Sequence, residues 1–137
     1  MTYQLRFTTI HHYDTLKSGI TLPVLLRSGS AEIRVDTKLD TGASFSIFQR
    51  LIGEKLGLDI EDGILERVGS VRGSFPAYGH EITLIVLGIE VTATVYFAAE
   101  KNFPINVLGR QGWLDRVRLG LVDYEGRLYL SDYNDSV

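Results

Sequence analysis

EITLIVL at residues 81–87 and IEVTATVYFAA at 89–99, separated only by Gly88, constrain the fold more than any other stretch of this chain. Both runs are dense in Ile, Val, Thr and aromatics, residues whose branched or flat side chains suit a pleated, half-buried surface. Two such runs meeting at a glycine predict a long β-hairpin. The same stretch is the most apolar in the chain, but Gly88, Glu90 and small or polar positions interrupt it well short of a membrane span.

Other segments repeat the strand signal. ITLPVLL at 20–26 reads as a strand, with Pro23 marking an edge or a start because proline cannot donate to a ladder. RSGS at 27–30 supplies turn residues. AEIRVDTKLD then alternates strictly, with Ile33, Val35 and Leu39 on one face and Glu32, Arg34, Asp36, Lys38 and Asp40 on the other. That pattern predicts a strand with one buried face, ended by Asp40 on its polar side.

Past Gly42 the period changes. In SIFQRLIGEKLG, Ile47, Leu51, Ile52 and Leu56 recur at helical spacing and Gly57 supplies a stop, so a short helix is expected. Residues 58–78 are rich in Gly and Pro, with Gly63, Gly69, Gly73, Pro76 and Gly79 read as chain reversals and the region as a projecting hairpin. An apolar INVLG, a second short helix over RQGWLDRV and two strands, RLGLVDY and RLYLSDY, complete the chain. Many strands and few, short helices predict an all-β barrel or sandwich.

Length and charge limit the function. The chain has 137 residues, the size of one domain, and no internal repeat or linker divides it. Its formal net charge is -3 and its Lys and Arg are scattered, so no basic patch invites nucleic acid. It has no Cys, hence no thiolate nucleophile and no disulfide frame. The opening residues lack the apolar core of a signal peptide, and a cytoplasmic location is the default expectation. His11-His12 does not predict a metal site, since neighbours on a strand point to opposite faces and His80 is remote in sequence. Trp113 beside Leu114 and Val117 reads as core packing.

Asp40-Thr41-Gly42 taken alone is an ordinary turn sequence. Its setting is more specific. It ends a half-buried strand, continues as Ala43-Ser44, and is followed about seventy residues later by Ile105-Asn106-Val107-Leu108-Gly109-Arg110. On KLDTGAS at 38–44, INVLGR at 105–110 and the order of strands between them, residues 20–131 resemble the retropepsin-like aspartic proteases, the single-lobe family that includes the retroviral enzymes.

The resemblance implies a closed, β-barrel-like acid-protease fold over residues 20–137; residues 1–19 fall outside it and are expected to be an extension that adds a strand to a sheet or interface. It implies Asp40 as the catalytic group, with Thr41, Gly42 and Ala43 forming the active-site loop. Two carboxylates about 3 Å apart cannot both ionise, so they share a proton and divide into acid and base, a worked pattern for this enzyme class. Only one Asp-Thr-Gly is present, so the second carboxylate has to come from a second copy across a twofold axis. A homodimer acting on an extended peptide, without metal or organic cofactor, is the implied enzyme. Ala43, where pepsin-like members commonly carry Ser, removes a hydroxyl donor and implies a less acidic optimum.

By the same resemblance Val107, Leu108, Gly109 and Arg110 support the active-site loop, and Ser70, Val71, Arg72 and Gly73 form the tip of a flap that closes on substrate. Two departures stand out. The flap lacks the dense glycines of retroviral tips, and the acid that pairs with the arginine in retroviral members is here Ser44. They motivate an alternative, a non-catalytic dimerisation or peptide-binding module on the same fold.

Overall fold

The computed structural model describes residues 1–70 and 73–135, with Ser70 described in its backbone alone. Ten strands carry the fold: β1 (Thr9–His12), β2 (Ile20–Ser28), β3 (Ala31–Leu39), β4 (Ile47–Phe48), β5 (Ile64–Ser70), β6 (Gly73–Val86), β7 (Ile89–Ala98), β8 (Val107–Leu108), β9 (Val117–Val122) and β10 (Arg127–Asp132). Among the described residues one helix, α1 (Arg50–Lys55), and three single 3-10 turns complete it, so the class is all-β. No helix among the described residues is long and apolar enough to cross a membrane.

Seven strands pair in the order β2-β3-β8-β4-β7-β6-β5, and β2 also pairs with β6 from Val24 to Arg27, so the ladders return on themselves. Pro23 falls one residue before that second pairing begins, where its missing N–H costs no ladder bond. β1, β10 and β9 form a separate three-stranded sheet. Within residues 1–19, therefore, Thr9–His12 is a strand paired to the end of the chain.

The period-two signal of the sequence is physical. On β7, Val91, Ala93, Val95 and Phe97 are buried while Glu90, Thr92 and Thr94 face outward. Val95 and Phe97, together with Leu22, Val24 and Leu26 of β2, Leu84 and Val86 of β6, Phe48, Leu108 and Trp113, form the main core. Burying side chains of this size stabilises the fold by roughly 1.5–3 kcal/mol each relative to leaving them exposed.

The structure corrects several sequence expectations. β6 does not begin at Glu81 but at Gly73, so one strand of 14 residues serves both the 64–86 hairpin and the 73–98 hairpin. Pro76 and Gly79 lie within it and reverse nothing. Gly79 is there for room: a Cβ would meet Thr94 Cγ2 at 2.9 Å and the Tyr96 ring at 2.9 Å. Leu87 leaves the strand and shares the turn with Gly88, both at positive φ (50° and 82°), with the leucine packed against the core. Arg27 and Ser28 remain in β2, leaving Gly29-Ser30 as the turn into β3.

The first predicted helix is shorter than its periodicity suggested. Ile47 belongs to β4, and Leu51 is exposed, while Ile52 and Leu56 are buried and Gly57 at φ 81° ends the helix. Over RQGWLDRV only Leu114–Arg116 makes a 3-10 turn. Gly112 at φ 92° breaks the segment, and the Asp115 carboxylate accepts its N–H at 3.0 Å. Trp113 is fully buried.

Candidate active site

Strand order explains why Asp40 and Gly109 meet. β8 lies between β3 and β4, parallel to the first through Lys38↔Val107 and Leu39↔Leu108 and antiparallel to the second through Ile47↔Val107. The chain leaving β3 at Asp40 has to pass over the end of β8 to enter β4. Residues 40–46 are that crossing loop.

Backbone bonds lock the crossing on both sides. Asp40 N–H donates to Leu108 C=O at 2.9 Å, Arg110 N–H to Ala43 C=O at 2.9 Å, and Gln111 N–H to Ser44 C=O at 2.8 Å. Phe45 and Gln111 then form a parallel bridge. Gly109 fits because it has no side chain: a Cβ would stand 2.2 Å from the Phe45 carbonyl oxygen. Val107 and Leu108 are buried beneath the loop. The two sequence motifs are thus one hydrogen-bonded unit.

Two residues that sequence reading passed over complete the unit. Ser46 is fully buried, accepts the Gly109 N–H on its hydroxyl at 3.1 Å, and accepts the Tyr96 N–H on its carbonyl at 3.0 Å. Asn106 accepts from Gln49 N–H through its side chain at 2.9 Å and from Lys38 N–H through its carbonyl at 3.0 Å. A lone serine within the apolar run Phe45–Phe48 was the available signal for the first, since a buried hydroxyl needs a partner. Asn106, alone polar in INVLG, was the signal for the second.

Asp40 itself is exposed. Its Oδ1 accepts the Gly42 N–H at 2.9 Å, and its carbonyl accepts the Ala43 N–H at 3.1 Å. Gly42 can present its N–H closely because it has no side chain: a Cβ there would press on Asp40 Oδ1 at 3.3 Å. Thr41 and Gly42 are exposed and Ala43 half-buried.

Asp40, Gly42 and Ala43 line one side of an apolar groove of about 460 Å³. Phe45, Ile47 and Ile105 continue the wall, while Val68, Gly69 and Phe75 contribute from the β5–β6 hairpin. The Phe75 and Phe103 rings meet at 4.8 Å and the Phe45 and Tyr96 rings at 4.9 Å, so the groove is backed by paired aromatics. Burial, and then the Glu66 carboxylate on β5, hold the Tyr96 hydroxyl above its ordinary range.

The β5–β6 hairpin is paired from Ile64↔Gly79 to Ser70↔Gly73 and stands beside the groove. Of its predicted tip, Ser70 and Gly73 form the last described pair, and Val71 and Arg72 lie outside the described residues. Arg110 is exposed, and among the described residues its guanidinium has neither an ion pair nor a hydrogen bond. Among the described residues no group of three His, Asp or Glu could hold a metal, and His11 Nε2 instead lies 3.1 Å from the Thr21 carbonyl.

No family model matches this chain, and no curated protein does. Its structure is similar to that of EIAV protease solved in complex with the inhibitor HBY-793, with a TM-score of 0.57 and 22% identity over 75% of this chain and 92% of that one. The likeness establishes a retropepsin-like fold.

Proposed function

We propose that the protein is a homodimeric aspartic endopeptidase in which two Asp40 carboxylates, one from each copy, activate a water against an internal amide of an extended polypeptide. The observation that carries this reading is the position of Asp40: exposed, on a loop pinned to β8 from both sides, with Gly42 N–H on its carboxylate and an apolar groove alongside. One such carboxylate at neutral pH is ionised and can act only as a base. A pair sharing a proton can take a proton from water and give one to the departing nitrogen. Thr41, Gly42 and Ala43 shape the loop, the β5–β6 hairpin carrying Ser70, Val71, Arg72 and Gly73 covers the substrate, and Gly109 with its neighbours holds the loop in place.

Sizing across a dilution series, combined with cleavage of unfolded protein and peptide libraries from about pH 4 to 7, tests the reading. A dimer whose cleavage disappears in Asp40→Asn, with folding retained, is the expected result. A chain that stays monomeric while cleaving, or cleavage that survives Asp40→Asn, overturns it. A dimer that binds peptides and cleaves none supports the alternative of a non-catalytic peptide-binding module, motivated in part by Arg110, whose guanidinium has no partner among the described residues.

A further inference from the structure

A second, smaller depression adjoins the apolar groove, and the two share Ser44. It measures about 340 Å³ and is lined by Ser44, Arg110, Gln111, Leu114 and Asp115. Its chemistry differs from that of the groove. Arg110 brings a full positive charge with no described partner, Ser44 and Gln111 bring neutral hydrogen-bonding groups, and Leu114 brings a short apolar wall. The one carboxylate present is already engaged: Asp115 Oδ1 accepts the Gly112 N–H at 3.0 Å and lies 3.7 Å from Arg116 Nε.

Arg110 is also fixed at its backbone. Its N–H donates to Ala43 and its carbonyl accepts the Asp115 N–H at 3.0 Å, so its Cα moves with the Asp40 loop. A guanidinium on so rigid a base loses little backbone freedom on meeting a carboxylate, and its planar fork can bind both oxygens.

We infer that Arg110 selects substrates carrying Asp or Glu near the end of the bound segment, an inference that rests on the peptide-binding reading of the groove. The bond from Ala43 N–H to Asp40 C=O closes a turn, which holds those two Cα atoms within about 7 Å and so puts Ser44 at most about 11 Å from Asp40. An extended peptide rises about 3.3 Å per residue, so the acidic side chain falls within about three residues of the bond beside Asp40. In a twofold-symmetric dimer the preference applies at both ends of the segment. The carboxylate recognised is that of a peptide strand continuing out of the apolar groove, because Ser44 lines both the groove and the depression.

Binding tests this without requiring hydrolysis. Fluorescence anisotropy with Asp40→Asn protein would compare labelled ten-residue peptides that share an apolar centre and differ only in Glu, Gln or Lys at the outer position. The Glu peptide is expected to bind roughly three- to tenfold more tightly than the Gln peptide, with the difference shrinking at high salt. Adding Arg110→Gln should abolish the difference, so that the Glu and Gln peptides bind that variant alike. Three results overturn the inference: equal binding of all three peptides, an acid preference that persists in Arg110→Gln, and a dimer that falls apart in Arg110→Gln, which would assign the arginine to the second subunit. Loss of the Asp40 mechanism would appear elsewhere, as absent cleavage with the Glu preference intact.

Discussion

Gly109 and Phe45 stand so close that a Cβ on residue 109 would lie 2.2 Å from the Phe45 carbonyl oxygen and 2.9 Å from that of Ala43. Both obstacles are backbone, held by the bonds that tie Arg110 to Ala43 and Gln111 to Ser44. Gly109→Ala is therefore expected to cost at least about 3 kcal/mol, or to prevent folding. Gly69, on the hairpin, has nothing within 4 Å of its missing Cβ, and Gly69→Ala should sit within about 0.5 kcal/mol of the parent. Urea titration of the two variants measures the contrast. Equal midpoints would mean that the crossing loop has room to give.

Ser46→Ala removes the hydroxyl that accepts the Gly109 N–H, leaving a buried donor unsatisfied. The expected destabilisation is about 1–3 kcal/mol. Because the lost bond joins the two halves of the crossing, any cleavage activity should fall with it. Ser46→Thr, which keeps the oxygen, should retain more of both. Thermal melts and initial rates on the two variants provide the check.

The longer strands were readable in the sequence where one face is buried and the period is two, as Ile33, Val35 and Leu39 of β3 illustrate. What stayed hidden was pairing between distant segments. Nothing local in Val107-Leu108 says that it lies between β3 and β4, yet that insertion makes the Asp40 loop cross Gly109. Ile47 was misassigned for a related reason: a two-residue strand is too short to carry a period, so the helical spacing beyond it prevailed. Gly79 was read as a turn because an open loop and a close approach to Tyr96 both call for glycine.

Arg50 joins α1 to the following 3-10 turn. It donates to Glu61 at 2.7 Å and to the Ala99 carbonyl at 3.0 Å. The guanidinium beside it holds the Glu61 carboxyl below the ordinary glutamate range. A lowered folded-state pKa means the stabilisation is complete above the unfolded value near 4.5 and disappears as pH falls through the lower, folded value. Glu61 is well exposed, so the effect is modest and salt-sensitive. Glu61→Gln should melt below the parent at pH 7 and converge with it as the pH drops below about 4. Parallel curves that keep a constant gap down to pH 2 would show that the charge is irrelevant.

Phe103 lies on the loop between β7 and β8, half-buried, with its ring 4.8 Å from that of Phe75 on the β5–β6 hairpin. The pair braces the hairpin against the groove wall, and an aromatic pair adds about 0.5–1.5 kcal/mol beyond the area it buries. Phe103→Ala removes the brace and widens the groove without touching Asp40 or the crossing loop. On the proposed function, substrate and transition state should lose this contact alike, because the ring acts on an apolar side chain and not on the reacting amide. KM for peptides with apolar residues at the cut should therefore rise roughly three- to tenfold while kcat stays within about threefold. Phe103→Leu, which refills most of the volume, should recover most of the affinity. Steady-state kinetics on the three proteins measure the split, and a fall in kcat at constant KM would instead place Phe103 among the groups that hold the Asp40 loop.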